Sequence, residues 1–206
     1  MDWLAVDWGT SHLRVWGMGH NGTVQLRRSN DAGMGSLSQD QFEPALIDLM
    51  GDVLSRGTTP VIVCGMAGSR QGWAEAKYVA SPCSPPGIET ATKASTNDPR
   101  LSVYILPGVK QTNPADVMRG EETQIAGFLA LDPKFDGVIC LPGTHTKWVH
   151  ISAGEIVSFR TFMTGEMFAL LSKQSVLRHS VKGQGWDAEA FVTAVSTGMS
   201  NPSEIA

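Results

Sequence analysis

Cysteine is scarce: the 206 residues include only three, at 64, 83 and 140, and none forms a C-x-x-C pair. That excludes a disulfide-built scaffold and a thiolate zinc site. No apolar run is long enough to cross a bilayer and no signal-peptide pattern opens the chain, so neither membrane spanning nor secretion is expected. Basic residues are also few. Lys and Arg total 16 against 20 Asp and Glu, for a net charge of −4, and Arg27-Arg28 is their one doublet. A nucleic-acid surface is therefore not expected. A cytoplasmic protein with reduced thiols is, and Cys64 and Cys140, inside apolar strand-like runs, read as buried. Asn21-Gly-Thr23 matches a glycosylation sequon only as a pattern.

What is present is enough apolar residue, 42% of the chain, to bury one large core or two small ones. The chain is organised around its opening stretch, Trp3-Leu-Ala-Val-Asp7-Trp-Gly9-Thr10-Ser11. A short apolar strand ends in a carboxylate and turns through glycine and two hydroxyl residues into a second strand over His12–Met18. Such a turn can aim backbone N–H groups at phosphate oxygens, and Asp7 can hold a magnesium ion directly or through water. The same residues also suit an ordinary hairpin. Gly17-Met-Gly19-His-Asn-Gly22 matches the dinucleotide fingerprint, but an alternating strand from Thr23 follows where a helix is required. It reads as a second hairpin turn at Asn21-Gly22. Ala32–Ser36 reads as a flexible glycine loop.

Apolar residues at helical spacing predict a helix over 38–56, capped by Ser38 or Asp40 and closed by Gly57. Pro60–Cys64 reads as a central parallel strand. It delivers a Gly-rich loop with Ser69, Arg70 and Trp73 at its C-terminal end, where ligands of open α/β sheets bind. Residues 80–100 read as a surface excursion and 101–106 as another strand. A helix begins at Glu121-Glu122 and stops before Pro133. At 100° per residue both carboxylates fall near the apolar stripe Ile125, Phe128, Leu129. Burial there would raise a carboxylate pKa, so one of the pair could serve as a base; helix-dipole decoration is the competing reading. From Asp136 the opening theme repeats: a strand, the turn Pro142-Gly143-Thr144-His145, a second strand bearing Lys147, and a third at 155–159. Helices are expected over 165–176, with Met167, Leu170 and Leu171 as core, and over 187–199.

D-W-G-T-S, G-M-A-G-S, M-R-G-E-E-T-Q, P-G-T-H-T-K-W and F-R-T-F-M-T-G-E together resemble the 2-dehydro-3-deoxygalactonokinase family, of the sugar kinase, heat-shock ATPase and actin superfamily. The resemblance covers essentially the whole chain. It implies an α/β fold of the duplicated ribonuclease H-like, actin-like ATPase type, with three antiparallel strands followed by parallel strands and helices. One domain would span 1–134 and an incomplete second 135–206, since family chains run about half as long again and the additional part carries the adenosine pocket. It implies phosphorylation of 2-dehydro-3-deoxy-D-galactonate at O6 by ATP and magnesium in galactonate breakdown.

By the same resemblance Asp7, Gly9, Thr10 and Ser11 form a first phosphate loop, and Gly143 and Thr144 a second. Leu141 stands where the superfamily usually carries Asp, which leaves metal anchoring to Asp7. Glu122 is the expected base, with Glu121 next. Ser69, Arg70, Trp73, Arg119, His145, Lys147, Thr164 and Glu166 are the expected substrate residues, with Arg70, Arg119 and Lys147 the cations for the acid group. The partners expected are a small sugar acid and ATP, with a homo-oligomer open. Alternatives are an exopolyphosphatase-like phosphohydrolase, a kinase of another sugar acid, and a non-catalytic sugar-acid sensor.

Overall fold

The computed structural model describes residues 1–181 and 185–204. Two compact units divide after Met163, where a boundary near 134 was expected, so the second three-stranded sheet groups with the first unit. Within that unit the strands are β1 (Trp3–Trp8), β2 (Leu13–Met18) and β3 (Val24–Asn30), then helix α1 (Phe42–Met50) and strand β4 (Thr59–Gly65). Short strands β5 (Tyr78–Ala80) and β6 (Thr92–Lys93) precede β7 (Leu101–Ile105), β8 (Gly108–Thr112) and β9 (Ala115–Met118). Helix α2 (Glu121–Leu131) then leads to β10 (Gly137–Leu141), β11 (Thr146–Ser152) and β12 (Glu155–Phe162).

The largest sheet is mixed, in the order β3-β2-β1-β4-β7-β6. β1 pairs antiparallel with β2 and parallel with β4, and β4 pairs parallel with β7. The alternation in β1 sends Leu4, Val6 and Trp8 to one face, and Val61, Val63, Val103 and Ile105 join them there. Helix α1 covers that face with Phe42, Leu46 and Met50. Trp8, Phe42 and Trp73 meet ring to ring at centroid distances of 4.8 to 6.3 Å. α1 is shorter than its apolar periodicity suggested. A capping box between Ser38 and Gln41 sets up a short 3₁₀ turn before it, and the Gly51 N–H donates to Ile47 O at its end. Arg28 holds that end by donating to Leu49 O and pairing with both oxygens of Asp52.

A second core joins the β8–β9 hairpin, α2 and the β10-β11-β12 sheet through Val109, Met118, Ile125, Val149, Ile151, Ile156 and Phe159. The β8–β9 hairpin went unread in the sequence, although Asn113-Pro114 is a turn signal. Cys83 bridges to Ile156 from within the stretch expected to be surface excursion. Cys64, expected as a buried thiol, is half-buried on β4, and desolvation and then the Asp7 and Glu122 charges push it up to about 12. Cys140, also expected as buried, is exposed on β10.

The second unit contains α3 (Thr164–Lys173) and α4 (Ala188–Ser200), the latter capped by the Asp187 side chain. Met167, Leu170 and Leu171, expected as core, are 52, 41 and 44% exposed. The periodicity correctly marks an apolar helix face, but a unit this small supplies too little other chain to cover it. Among the described residues no helix is long and apolar enough to cross a membrane.

Gly65 is the backbone position on which the sheet's C-terminal edge depends. Its φ is +91°, and a Cβ there would lie 2.6 Å from Trp8 O. Gly65→Ala should lower the unfolding free energy by about 3 kcal/mol, combining left-handed strain with a backbone clash. Urea denaturation of the two chains measures this.

Candidate active site

A cleft with about 240 Å³ of free space opens at the C-terminal ends of β1 and β4. Beside Gly65 and Met66 at the end of β4, three segments that are distant in sequence build it. The first turn brings Asp7, Gly9 and Thr10; the β10–β11 turn brings Leu141, Gly143, Thr144 and His145; and the start of α2 brings Arg119, Gly120, Glu121 and Gln124. The two turns that the sequence suggested as phosphate loops therefore face one cavity. Ser11, at the exposed tip of its turn, is not among the lining residues.

The first turn is held from behind. The Met34 N–H donates to Gly9 O at 3.0 Å and the Gly35 N–H to Thr10 O at 2.9 Å. A Cβ on Gly33 would fall 2.3 Å from Ser11 C and Thr10 O. The glycine loop at 32–36 is thus a buttress that only glycine can form at 33. The Gly9 N–H is committed to His12 O at 2.9 Å. Across the hairpin, Asp7 Oδ2 accepts from Arg14 Nη1 at 2.8 Å. Arg14 also lines the cleft. Sequence reading missed it, although hairpin register sets it directly opposite Asp7.

The two glutamates of α2 part company. Glu121 is half-buried and lines the cleft, and its Oε2 accepts from the Arg119 N–H at 3.0 Å. Burial raises its pKa, against the pull of its own and the Arg119 backbone N–H groups and of the Lys147 and His145 charges. Glu122 is fully buried. Its Oε1 and Oε2 accept from the Gly120 N–H at 2.9 and 2.7 Å, and burial pushes its pKa up to about 7. Of the pair expected from the sequence, Glu121 borders the cleft and Glu122 lies buried behind it.

The sequence profile of the 2-keto-3-deoxy-galactonokinase family matches residues 7–206. The chain belongs to that family. It is 38% identical over 205 residues to a Rhizobium meliloti (strain 1021) protein assigned as the 2-dehydro-3-deoxygalactonokinase DgoK1, a match covering 97% of this chain and 67% of that protein. It is 34% identical over 203 residues to the 2-dehydro-3-deoxygalactonokinase of Escherichia coli (strain K12), covering 97% of this chain and 66% of that protein. A crystal structure from Sinorhizobium meliloti, assigned to a 2-dehydro-3-deoxygalactonokinase protein, superposes with a TM-score of 0.89 at 38% identity. That match covers 98% of this chain and 67% of the other. The chain thus spans about two thirds of the length of each of these relatives.

Within the first unit, Ser69, Arg70, Trp73 and Lys147 do not line this cleft, whereas Arg119 and His145 do. Trp73 packs in the aromatic core beside Trp8 and Phe42. Arg70 is exposed, and Ser69 is buried with its hydroxyl unpartnered. Lys147 is 5% exposed and turned into the protein, where it donates to Val117 O at 2.7 Å and Thr161 Oγ1 at 2.6 Å beside Asp116. It braces the β8–β9 hairpin against β11 and β12. Arg119 lies 4.2 Å over the Tyr78 ring and donates from Nη2 to Ala76 O. Its Nε and Nη1 are buried and have no partner. Thr164 and Glu166 open α3 in the second unit.

Two measurements follow from these placements. Lys147→Met removes the donor to the Val117 carbonyl and to Thr161 Oγ1, which keeps its own bond to Asp116, and should cost about 1–3 kcal/mol of stability by urea titration. Glu122, raised above its ordinary 4.5, adds stability that is complete below pH 4.5 and lost as pH rises through about 7. The stability difference between the unsubstituted chain and Glu122→Gln should therefore fall by about 3 kcal/mol across that window. Urea melts at closely spaced pH values would show it.

Proposed function

We propose that this chain carries the sugar-acid and phosphate half of an ATP-dependent kinase that transfers a phosphoryl group to O6 of 2-dehydro-3-deoxy-D-galactonate, in galactonate catabolism. The observation that carries the reading is the convergence of both phosphate-type turns and the Glu121 carboxylate on one cleft. The curated relatives bear the name of that activity, and the mixed sheet suits a ribonuclease H-like domain repeated from 135 onward. Phosphoryl transfer depends mainly on positioning and charge stabilisation, and this cleft offers both.

In this reading Thr10, Gly143 and Thr144 meet the phosphates. The first turn's share falls to Thr10, because the Gly9 N–H is held by His12 and Ser11 does not line the cleft. Arg14 adds a guanidinium at the same wall. Asp7 fits a divalent ion. Among the described residues no three His, Cys, Asp or Glu side chains gather as a metal site, and magnesium is content with one or two carboxylates plus phosphate and water oxygens. When bound, magnesium would neutralise phosphate charge. Glu121 accepts the proton of the sugar hydroxyl. Arg119 receives the acid group, because its Nε and Nη1 lack partners while the Lys147 ammonium is already committed. His145 borders the place where sugar and phosphate would meet.

Glu121→Gln should lower kcat by about 10²–10⁴-fold and leave sugar-acid affinity within a few-fold. Thermal melts tell whether the site exists in this chain, because a ligand that binds only the folded form raises the midpoint. Stabilisation by 2-dehydro-3-deoxygalactonate and not by its gluconate epimer is expected. Equal response to both, or to neither, removes the substrate assignment.

A further inference from the structure

Glu122 is a fully buried carboxylate that the proposed transfer does not use, and its surroundings give it another task. The residue that starts α2, Gly120, has no side chain with which to cap the helix. Its φ is +109°, and a Cβ on it would lie 3.3 Å from Gly65 Cα. Gly65 in turn lies against Trp8 O at the end of β1. The head of the helix thus rests on bare backbone at the sheet edge, one turn ahead of the Ile125 packing, and its first residues are fixed there by hydrogen bonding. Glu122 reaches back two residues to take the Gly120 N–H on both oxygens, and Thr123 Oγ1 donates to Oε1 at 3.4 Å.

We propose that Glu122 is a positioning residue: by holding the Gly120 N–H it locks the left-handed start of α2 against Gly65 and thereby aims Glu121 into the cleft. This inference rests on the proposed kinase only for the role given to Glu121. The charged and titratable groups around Glu122 are Glu121 and Arg119 beside it and Cys64 on β4, which also feels the charge of Asp7 on β1. None of these donates the hydrogen bond that Gly120 does. A positioning acceptor needs an oxygen at the right place but not a charge, whereas a catalytic base needs the charge itself. Gln, of the same length, separates the two.

The test is NMR on this chain without ATP or sugar acid, reading the Gly120 amide proton and the Glu121 carboxyl carbon. In Glu122→Gln the Gly120 amide should stay downfield and lose its pH dependence, while Glu121 titrates as in the unsubstituted chain. In Glu122→Ala the amide should move upfield and the Glu121 titration should change. Should the Ala variant not fold, Glu122→Asp, one methylene too short to reach, replaces it with the same expectation. A Gly120 amide displaced as far by Gln as by Ala or Asp overturns the proposal, as does an unchanged Glu121 titration in the short variants. Where turnover is measurable, Gln should keep kcat within a few-fold and Ala should lower it about tenfold or more at similar KM. Loss of turnover in Gln with both resonances unchanged would instead make Glu122 the base. The resonances are read without substrate, so failure of the kinase reading leaves this test standing.

Discussion

The arrangement depends on one close approach, that of Gly120 to Gly65. Both residues have positive φ; a Cβ on Gly120 would lie 3.3 Å from Gly65 Cα, and one on Gly65 would lie 2.6 Å from Trp8 O. Because neither carries a side chain, the start of α2 can lie at the end of β4 and beside β1. That brings the helix's first carboxylates to the mouth formed by the β1–β2 turn. The second sheet then completes the cavity from the other side, anchored to the hairpin through Lys147 and the shared apolar core. Without the glycine pair the three segments would still be secondary structure, but they would not share a site.

Within that frame, burial separates residues that composition treats as equivalent. Glu121 and Glu122 are neighbours of identical chemistry, yet one borders the cleft and the other is sealed behind the helix start. Arg119 and Lys147 are both expected cations. Lys147 directs its ammonium to a carbonyl and a hydroxyl, while Arg119 keeps two donors without acceptors over an aromatic ring. A buried guanidinium with orphan N–H groups is costly in a purely structural role, which is why the acid group is assigned to it.

Much of the fold was legible in the sequence. The strand alternation at Leu4, Val6 and Trp8, the glycine turns, and the helix beginning at Glu121 are local signals that tertiary packing obeyed. The convergence of the Gly9 and Gly143 turns was also legible, since the same strand-turn-strand pattern occurs twice. What was not legible is reach. Period and spacing put both glutamates near one stripe but could not say which one the β4 edge would bury. Trp73 has the composition of a sugar platform and became core because α1 packs beside it. The apolar faces of α3 and α4 were readable as faces, and their exposure was not, because covering a face depends on residues that no local window contains.

Across the first hairpin, Asp7 and Arg14 satisfy each other at 2.8 Å. Both side chains stay partly exposed, so the pair is open to solution ligands. In the proposed kinase a cation at Asp7 would compete with the guanidinium and an anion at Arg14 with the carboxylate, so each would free the seat for its opposite. Linkage makes that assistance equal in both directions. In that reading the pair would favour ligands that bring both signs of charge together over lone ions.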